Sequence, residues 1–389
     1  MFTSIMDNKN NEQKGTLSPH DKDISLPTAW KTKLKTTKLF QRNTEEGDSI
    51  EKMLRSQIIL FNSRKKWGLL FALATVSGLL CAPGDSTQVF RNYALTLDDV
   101  VQLIKIVFLP ISTLLIITGM YVFNDLIDAD LDRANGKTKR PIPSGSVSKR
   151  CALMFVIATN LVGIAIPVLI GNTAGIFFAS SIALIGVLYS TPKISLKDRF
   201  IIKTLAISLA MMSSLLLGSS INWDNYVIND FKFLLYHGDE YSPILALLLP
   251  IFSGSMLAMM VFVTSPLNDL GDMSGDRAAG RRTIPIVIGK ENAVRLAILI
   301  DIGIAVFSWI LFFAVLFSIR NDEIDFYLHY RALILPSVVS LTSVLTLFHL
   351  FNILKHSDDR DFVRNSVTKK SMPLHILLQV SLVIGCVLF

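Results

Sequence analysis

The sequence has few charged residues and few cysteines. Only 18% of its 389 residues are charged, whereas an average soluble protein has about a quarter. The three cysteines, Cys81, Cys151 and Cys386, lie in separate apolar stretches with no CxxC pair. The six histidines are scattered singly, so no cysteine–histidine zinc site is predicted. These scarcities argue against both a soluble protein and a zinc protein.

The amino-terminal region has no apolar stretch followed by a small-residue cleavage site, which excludes a signal peptide there. We expect residues 1–47 to form a polar, disordered cytoplasmic tail and residues 48–66 an amphipathic segment at the membrane interface. The net charge of +7 does not indicate a nucleic-acid partner, because the basic residues follow the pattern of a membrane topology.

Long apolar blocks occupy most of the chain, whose residues are 51% hydrophobic. A helix needs about 20 apolar residues to cross a bilayer, and only helices or closed barrels satisfy the backbone in lipid. The blocks are continuous rather than alternating, so residues 67–389 are predicted to form an all-α polytopic membrane domain of nine transmembrane helices. The nine blocks are 67–82, 106–123, 151–170, 173–190, 200–221, 243–266, 294–318, 332–354 and 373–389.

Lysine and arginine are concentrated in the loops after the second, fourth, sixth and eighth blocks. The loops after the odd-numbered blocks contain few basic residues. By the positive-inside rule, the amino terminus and the basic loops are predicted to face the cytoplasm.

Two similar acidic decapeptides follow even-numbered blocks. NDLIDADLDR begins at Asn124, NDLGDMSGDR begins at Asn268, and each precedes a basic turn with proline and then glycine. We interpret this pattern as a four-helix repeat used twice in parallel orientation, with one additional helix. Such a repeat would bring the two acidic loops together over a shared cavity.

The first decapeptide places Asn124, Asp128 and Asp132 four residues apart. In a helix each such step advances about 40° around the axis, so these side chains form one polar stripe. The second decapeptide repeats the stripe with Asn268, Asp272 and Asp276. Each decapeptide adds one further aspartate, which is Asp125 in the first and Asp269 in the second. Repelling carboxylates of this kind suit Mg²⁺, which takes few carboxylates and completes its shell with phosphate. Two facing stripes predict Mg²⁺ ions around a diphosphate; the alternative is charged helix ends paired with neighbouring basic residues.

A third polar element, YSTPKISLKDR, begins at Tyr189 on the same predicted face. Its lysines, Lys193 and Lys197, are candidates for phosphate contacts, as are arginines of the basic loops. The alternative is that these residues only set the membrane topology.

Together these motifs resemble those of the UbiA superfamily of intramembrane prenyltransferases. The first decapeptide matches the NDxxDxxxD pattern and is followed by RPIPSG, which begins at Arg140. The second matches DxxxD through Asp272 and Asp276, with a GDRxxGxRTxP continuation from Gly275. Tyr189 and Lys193 match the YxxxK motif. The resemblance covers roughly residues 60–389.

The resemblance implies a nine-helix bundle with a lateral cavity open to lipid, in which Mg²⁺ binds an isoprenoid diphosphate. It implies Mg²⁺ ligands at Asn124, Asp128, Asp132, Asn268, Asp272 and Asp276. Asp125 and Asp269 would be secondary ligands or would orient Lys193, Lys197 and Arg140. It implies diphosphate contacts at Arg140, Lys193, Lys197 and Arg282. Tyr189 would help to position the leaving group or the allylic cation.

The function that the resemblance implies is transfer of a polyprenyl group to an aromatic, quinone-precursor or lipid acceptor. A terpene cyclase of the same fold would need the same metal site, so the motifs do not separate the two. A non-catalytic lipid binder or transporter is a third alternative, since repeated halves are common in transporters. A transporter's charges usually lie near the middle of the membrane, whereas these acidic clusters lie at one face.

Overall fold

The computed structural model describes residues 44–82, 97–134, 139–223, 243–318 and 333–388. Regular structure within these ranges consists of helices only. Residues 55–389 form one unit, whose fold is described here. The predicted tail lies almost wholly outside the described residues.

Eleven α-helices are formed by the described residues. They are α1 (Thr44–Leu80), α2 (Leu97–Ile127), α3 (Ala129–Ala134), α4 (Lys149–Leu169), α5 (Thr173–Ser190), α6 (Ile202–Ser219), α7 (Pro243–Ala278), α8 (Ile284–Ile288), α9 (Lys290–Ser318), α10 (Ile334–Lys355) and α11 (Arg360–Leu388). Short 3₁₀ turns at Leu196–Asp198 and Ser220–Asn222 flank α6.

Seven helices of the described residues are long and apolar enough to cross a membrane. These spans are Asp99–Ile127, Lys149–Leu169, Thr173–Ser190, Ile202–Ser219, Leu248–Ala278, Lys290–Ile310 and Ile334–Lys355. They correspond to the second to eighth predicted blocks. The first and last blocks lie in α1 and α11, which are not among the seven, so the count of nine spans stays a prediction.

The outer surface of the bundle is apolar. Large hydrophobic side chains such as Leu169 and Phe348 are 83% and 71% exposed, and many others are exposed along the same helices. A soluble protein rarely exposes so many large apolar side chains. This surface is therefore suited to lipid, in agreement with a multi-pass membrane protein.

Local sequence explains where several helices begin. Ser148 and Asn172 precede the apolar runs of α4 and α5, and their side chains accept hydrogen bonds from the backbone N–H groups of Cys151 and Gly175. These bonds satisfy donors that would otherwise be unpaired at the first turn.

The helices that carry the acidic decapeptides, α2 and α7, lie in the middle of the packing. Helix α2 packs against α4 and α5, and α7 packs against α6, α9 and α11. Helices α5 and α6 pack against each other and so connect the two sets. The repeat itself stays a prediction.

Helices α1 and α6 approach each other at small residues. A Cβ atom added at Gly78 would lie 1.8 Å from the carbonyl oxygen of Leu215, and one added at Gly218 would lie 1.9 Å from that of Thr75. Membrane helices use such small residues to bring backbones close together. Gly78 and Gly218 therefore allow the close spacing of α1 and α6 at this crossing.

Cys81, next to the end of α1, and Cys386, near the end of α11, form a disulfide with their Cα atoms 5.1 Å apart. The sequence did not predict this pair, because the two residues are separated by 305 positions.

Candidate functional site

The first decapeptide spans the end of α2 and the whole of α3. The backbone N–H of Asp128 donates to the Asn124 carbonyl at 3.0 Å, and that of Asp132 donates to the Asp128 carbonyl at 2.8 Å. These are helical hydrogen bonds, so the decapeptide keeps a helical path although α2 ends at Ile127. The helical path that the predicted stripe requires is therefore present, but among the described residues Asp132 does not share a partner with Asn124 and Asp128.

The polar residues of the first decapeptide divide between two cations. The Lys197 ammonium donates to Asn124 Oδ1 at 3.0 Å and to Asp128 Oδ1 at 2.6 Å. Arg140 instead binds both Asp125 and Asp132. Residues seven apart differ by only about 20° around a helix, whereas residues eight apart differ by about 80°. Asp132 therefore shares its partner with Asp125 rather than with Asn124.

Asp125 has a second partner in Arg64 of α1, through two hydrogen bonds. The Asp125 side chain is only 4% exposed. A buried carboxylate is costly unless it is paired, so Arg64 and Arg140 together stabilise its charge.

Asp130, in the same decapeptide, points away from this cluster. Its carboxylate accepts hydrogen bonds from Lys149 at 2.8 and 2.9 Å, and both side chains are exposed. The hydrogen bond and charge of Lys149 hold the pKa of Asp130 below its usual value. Asp130 is thus a surface residue.

The second decapeptide continues α7 without a break as far as Ala278. Asp269 is bound by Lys203 of α6, and its second oxygen is buried without a partner among the described residues. Asn268 and Asp272 are exposed, and neither has a hydrogen bond or ion pair among the described residues. The second decapeptide is thus less fully paired than the first.

Arg281 joins the two decapeptides. Its guanidinium lies 3.1 Å from Asp128 of the first, 3.3 Å from Asp276 of the second and 3.1 Å from Asp198 of the 3₁₀ turn. Burial lowers the pKa of Arg281, but Asp128, Asp276 and Asp198 outweigh it and raise that pKa above its usual value. Arg281 therefore stays charged, and the two acidic motifs meet at one cation.

A cavity of about 380 Å³ lies beside the second decapeptide. Its polar wall includes Asn268, Asp269 and Asp272 of the second decapeptide, with Lys203 and Arg364. Its apolar wall comes from α1, α6, α7 and α11. The apolar residues are Trp67, Leu70, Phe71, Ile207, Met211, Val261, Val367 and Met372.

A smaller, more apolar cavity of about 110 Å³ lies beside it. Asn124 of the first decapeptide and Tyr189 line this cavity together with isoleucines of α2, α5 and α6. The two cavities share Phe71, Tyr121 and Ile207 as lining residues. One apolar space is therefore bordered by both acidic motifs.

Aromatic side chains are concentrated where the two cavities meet. Trp67 of α1 stacks on Tyr121 of α2, with ring centroids 5.6 Å apart and planes 11° from parallel. Phe71 lines both cavities from the next turn of α1, and Tyr189 lines the smaller one. This arrangement places aromatic rings within the space that both motifs border.

Two predicted diphosphate ligands lie apart from the acidic cluster. Lys193 is exposed and has no ion pair among the described residues, and the same holds for the side chain of Arg282. Their assignment stays a prediction. Lys197 and Arg140, by contrast, contact the first decapeptide directly.

Sequence reasoning missed three cations at this site: Arg64, Lys203 and Arg281. Arg64 and Lys203 lie within helices, Arg64 in the segment predicted to be interfacial and Lys203 inside a predicted span. A basic residue at a membrane boundary close to an acidic motif is costly unless it is paired. That cost is the signal that could have identified Lys203.

The oxygen ligands at this site fit a Mg²⁺ ion that is held partly by the protein and partly by water and substrate phosphate. Among the described residues, no group of three or more acidic, histidine or cysteine side chains is close enough to hold a metal alone. Mg²⁺ uses one or two carboxylates, waters and substrate phosphates rather than an all-protein cage. The open carboxylate of Asp272 and the paired carboxylates of Asp128 and Asp276 provide such oxygens.

Comparison with known proteins gives a consistent result. A family model described as the UbiA prenyltransferase family matches residues 87–372. A digeranylgeranylglyceryl phosphate synthase of Methanopyrus kandleri is 30% identical over 199 residues, which cover 51% of this chain and 64% of that protein. A chloroplastic chlorophyll synthase of Oryza sativa subsp. japonica is 26% identical over 224 residues, which cover 56% of this chain and 52% of that protein. The chain therefore matches less than two thirds of the length of these relatives.

The fold is similar to that of a solved UbiA homolog from Archaeoglobus fulgidus bound to GPP and Mg²⁺. The TM-score is 0.51 at 17% identity, and the match covers 86% of this chain and 99% of that chain. The similarity supports the fold of the described residues.

Proposed function

Because the chain belongs to the UbiA prenyltransferase family, we propose that it is a Mg²⁺-dependent enzyme that transfers a prenyl group from an isoprenoid diphosphate to a lipid-soluble acceptor. The observation that carries this proposal is Arg281, whose guanidinium joins Asp128 of the first motif to Asp276 of the second. Two acidic motifs from distant parts of the chain thus border one apolar cavity. That arrangement suits a substrate with a diphosphate head and an apolar tail.

The acidic motifs would hold the metal and, through it, the diphosphate. The proposed ligands are Asn124, Asp128, Asp132, Asn268, Asp272 and Asp276, with Asp125 and Asp269 as secondary ligands. Bound Mg²⁺ neutralises charge on the departing diphosphate and so favours ionisation of the allylic substrate.

Basic side chains would bind the remaining phosphate oxygens. Lys197 and Arg281 already lie at Asp128, so a short side-chain movement would transfer their hydrogen bonds from carboxylate to phosphate. Arg140, Lys193 and Arg282 are the further candidates, and Arg140 is the one of these that contacts the cluster.

The apolar cavity would bind the prenyl chain and protect the allylic cation from water. Its isoleucine and methionine wall excludes solvent, and the aromatic residues Phe71, Tyr121 and Tyr189 also line it. Aromatic faces stabilise a nearby cation, by about 2 kcal/mol when it is desolvated. Tyr189 would thus act on the cation rather than on the metal.

We propose that the acidic motifs face the cytoplasm, as the positive-inside rule predicts. The Cys81–Cys386 disulfide supports this orientation. Cys81 lies beyond the end of α1, about 25 Å along the helix from Arg64, given a rise of 1.5 Å per residue. Disulfides persist on the oxidising side of a membrane, so the end of the bundle remote from Arg64 and Asp125 would lie outside the cytoplasm.

The acceptor class is proposed from the relatives, which include synthases named for digeranylgeranylglyceryl phosphate and for chlorophyll. Both names describe lipid-soluble products. We therefore propose a lipid or an aromatic, quinone-precursor acceptor.

Membranes that contain the protein, incubated with Mg²⁺ and a series of allylic diphosphates, test this function. Pyrophosphate release and product masses are measured with and without a total lipid extract, and Asp128→Ala serves as the inactive control. Release that requires the extract and gives a heavier prenylated product is expected, and the mass identifies the acceptor class.

Two other results would replace this proposal. Release without any acceptor, giving a hydrocarbon or terpene alcohol, would identify a terpene cyclase. No release from any donor, in a protein that still binds the diphosphate, would identify a non-catalytic lipid binder or transporter.

A further inference from the structure

A separate cavity of about 230 Å³ lies at the end of α7, where α9 and α11 begin. The described residues that line it are Leu270, Met273, Ser274, Arg277, Lys290, Ser357, Arg360 and Val363. None of these residues belongs to the predicted metal or diphosphate ligands.

All the charged side chains that line this cavity, among the described residues, are basic. Arg277 comes from the last turn of α7, Lys290 from the start of α9 and Arg360 from the start of α11. Lys290 pairs at 3.3 Å with Asp358, whose side chain is 96% exposed. Arg277 and Arg360 have no ion pair among the described residues. All three basic residues are exposed, and two of them are thus open to an anion that enters the cavity.

Lys290 and Arg360 are the first residues of two helices on the wall of this cavity. Glu291 and Asp361 in the first turns, with Asp359 accepting from the Phe362 N–H, already offset the partial positive charge of these helix ends. An anion in the cavity would therefore be bound by the basic side chains.

Arg133, which ends the first decapeptide as Arg277 ends the second, provides an internal comparison. Arg133 donates to the carbonyl oxygen of Pro143 at 3.0 Å and lies 3.9 Å from Asp130, so it stabilises its own loop. Arg277 makes no such contact among the described residues and lines the cavity instead. The arginine that ends the decapeptide is therefore paired in the first motif, whereas in the second motif it has no ion pair among the described residues.

The rest of the cavity wall is partly apolar and partly hydroxylic. Leu270 and Val363 are buried residues of the core, and Met273 packs against that core. Ser274 and Ser357 have hydroxyl groups with no hydrogen bond among the described residues. Such a wall fits a phosphate with a short apolar attachment better than a free ion. The volume is below the range of about 300–1,000 Å³ typical for whole ligands, so it suits a head group.

The cavity is distinct from the acidic site. Helix α7 turns by about 100° per residue, so the side of Leu270 and Arg277 differs from that of Asp269 and Asp276. Asp269 lines the cavity of about 380 Å³, whereas Leu270 and Arg277 line this one.

We propose that this cavity binds the phosphate of an anionic membrane lipid, through Arg277, Lys290 and Arg360. The phosphate accepts charge-assisted hydrogen bonds from these side chains, and the adjoining glycerol lies against Leu270 and Val363. A bound lipid would fix the end of α7, which carries the second acidic motif, against α9 and α11. The site does not depend on prenyl transfer.

Native mass spectrometry of the full-length protein in detergent tests this site. The probes are dioleoylphosphatidylglycerol, dioleoylphosphatidylcholine and inorganic phosphate, added separately and in competition. Arg277→Gln and Arg360→Gln each remove one cation of the cavity. Lys355→Gln is the matched control, because Lys355 is exposed near the same helix start but does not line the cavity. Thermal unfolding of each variant shows whether it is folded.

The wild-type protein is expected to retain phosphatidylglycerol in preference to phosphatidylcholine. Each cavity variant should bind phosphatidylglycerol about tenfold more weakly, which corresponds to about 1.4 kcal/mol, while Lys355→Gln stays within about twofold. If inorganic phosphate alone binds the wild-type protein, displaces the lipid and fails with both variants, the site takes free phosphate. Equal binding of the two lipids, or unchanged binding in both folded variants, would overturn the proposal.

Discussion

Replacing Arg281 by glutamine tests whether one side chain joins the two acidic motifs. The guanidinium contacts three carboxylates at 3.1–3.3 Å, and the side chain is 20% exposed. A hydrogen bond to a charged group contributes about 1.5–3 kcal/mol, and partial exposure reduces that value. The substitution also leaves Asp128 and Asp276 facing each other without this cation. We expect the metal-free protein to lose about 2–4 kcal/mol of stability.

The assay is thermal unfolding of purified protein in detergent with EDTA. Arg282→Gln is the matched control, because its side chain is exposed and has no ion pair among the described residues. The control is expected to change stability by no more than about 0.5 kcal/mol. Addition of Mg²⁺ with geranyl diphosphate should reduce the stability difference between Arg281→Gln and the wild-type protein, because bound metal then offsets the negative charge of the carboxylates. Equal unfolding temperatures for the two variants in EDTA would refute the role of Arg281.

The pH dependence of this difference follows from the raised pKa of Arg281. A group with a raised pKa in the folded state contributes stability below its unfolded pKa and loses it as pH rises through the folded value. For an arginine the unfolded pKa already lies above the usual experimental pH range, and the folded pKa of Arg281 lies higher still. The stability difference between wild type and Arg281→Gln should therefore stay constant from pH 7 to about pH 10. If the stability difference between wild type and Arg281→Gln vanishes within this pH range, a group other than Arg281 is its cause.

Four further substitutions test the site and the packing around it. Asp130→Asn should leave pyrophosphate release unchanged, because Asp130 pairs with the exposed Lys149. Asp128→Asn should reduce the release at least about a hundredfold, because Asp128 contacts Lys197 and Arg281 at the site. Lys197→Gln should raise the KM for the diphosphate more than that for the acceptor, because its ammonium lies at the first motif. Gly78→Ala should lower stability by several kcal/mol, on the order of an overpacked core, because its Cβ would meet the Leu215 carbonyl at 1.8 Å.

Matched controls exist for the last two substitutions. Lys193→Gln removes an exposed lysine of the same loop. If it lowers the affinity for the diphosphate as much as Lys197→Gln does, the contact of Lys197 with the first motif is not what matters for binding. Gly275→Ala adds a Cβ with no atom within 4 Å. If thermal unfolding shows the same loss for Gly275→Ala as for Gly78→Ala, packing between α1 and α6 is not the cause.

The helical architecture was largely predictable because bilayer crossing imposes a simple length and composition rule. Seven predicted blocks coincide with helices that are long and apolar enough to span a membrane. Their limits were less predictable, since hydropathy identifies the apolar part of a helix and not its polar continuation. Helix α7, for example, was predicted to end as a span at residue 266 but continues to Ala278 through the second motif.

The side-chain partners were not predictable to the same degree. Arg281 and Arg282 are adjacent and chemically identical, so sequence alone does not distinguish them. The loop conformation does: Gly280 has φ of +70°, the Arg281 N–H donates to the Asp276 carbonyl, and the Arg282 N–H donates to that of Asp198. These bonds orient Arg281 toward the carboxylates.

The basic turns after the two motifs show which features a repeat of sequence does preserve. Gly145 and Gly289 follow the two proline-containing turns and have φ of +80° and +90°, a conformation that side chains with a Cβ rarely adopt. Ile142 and Ile284 occupy equivalent positions in these turns and are both 2% exposed. A glycine with positive φ and a buried isoleucine are therefore common to the two turns, although residues 141–145 form turns and Ile284–Ile288 form the short helix α8. The repeat itself stays a prediction.

The charge environment of the two motifs is, in contrast, different. Asp125, Asp128 and Asp132 of the first motif all have cationic partners within the chain. In the second motif, Asp272 has no ion pair among the described residues and lines the cavity of about 380 Å³. A carboxylate cluster at a membrane boundary is costly unless its charge is balanced. The chain balances the first motif by itself and leaves an open carboxylate in the second, so an incoming cation gains most at Asp272.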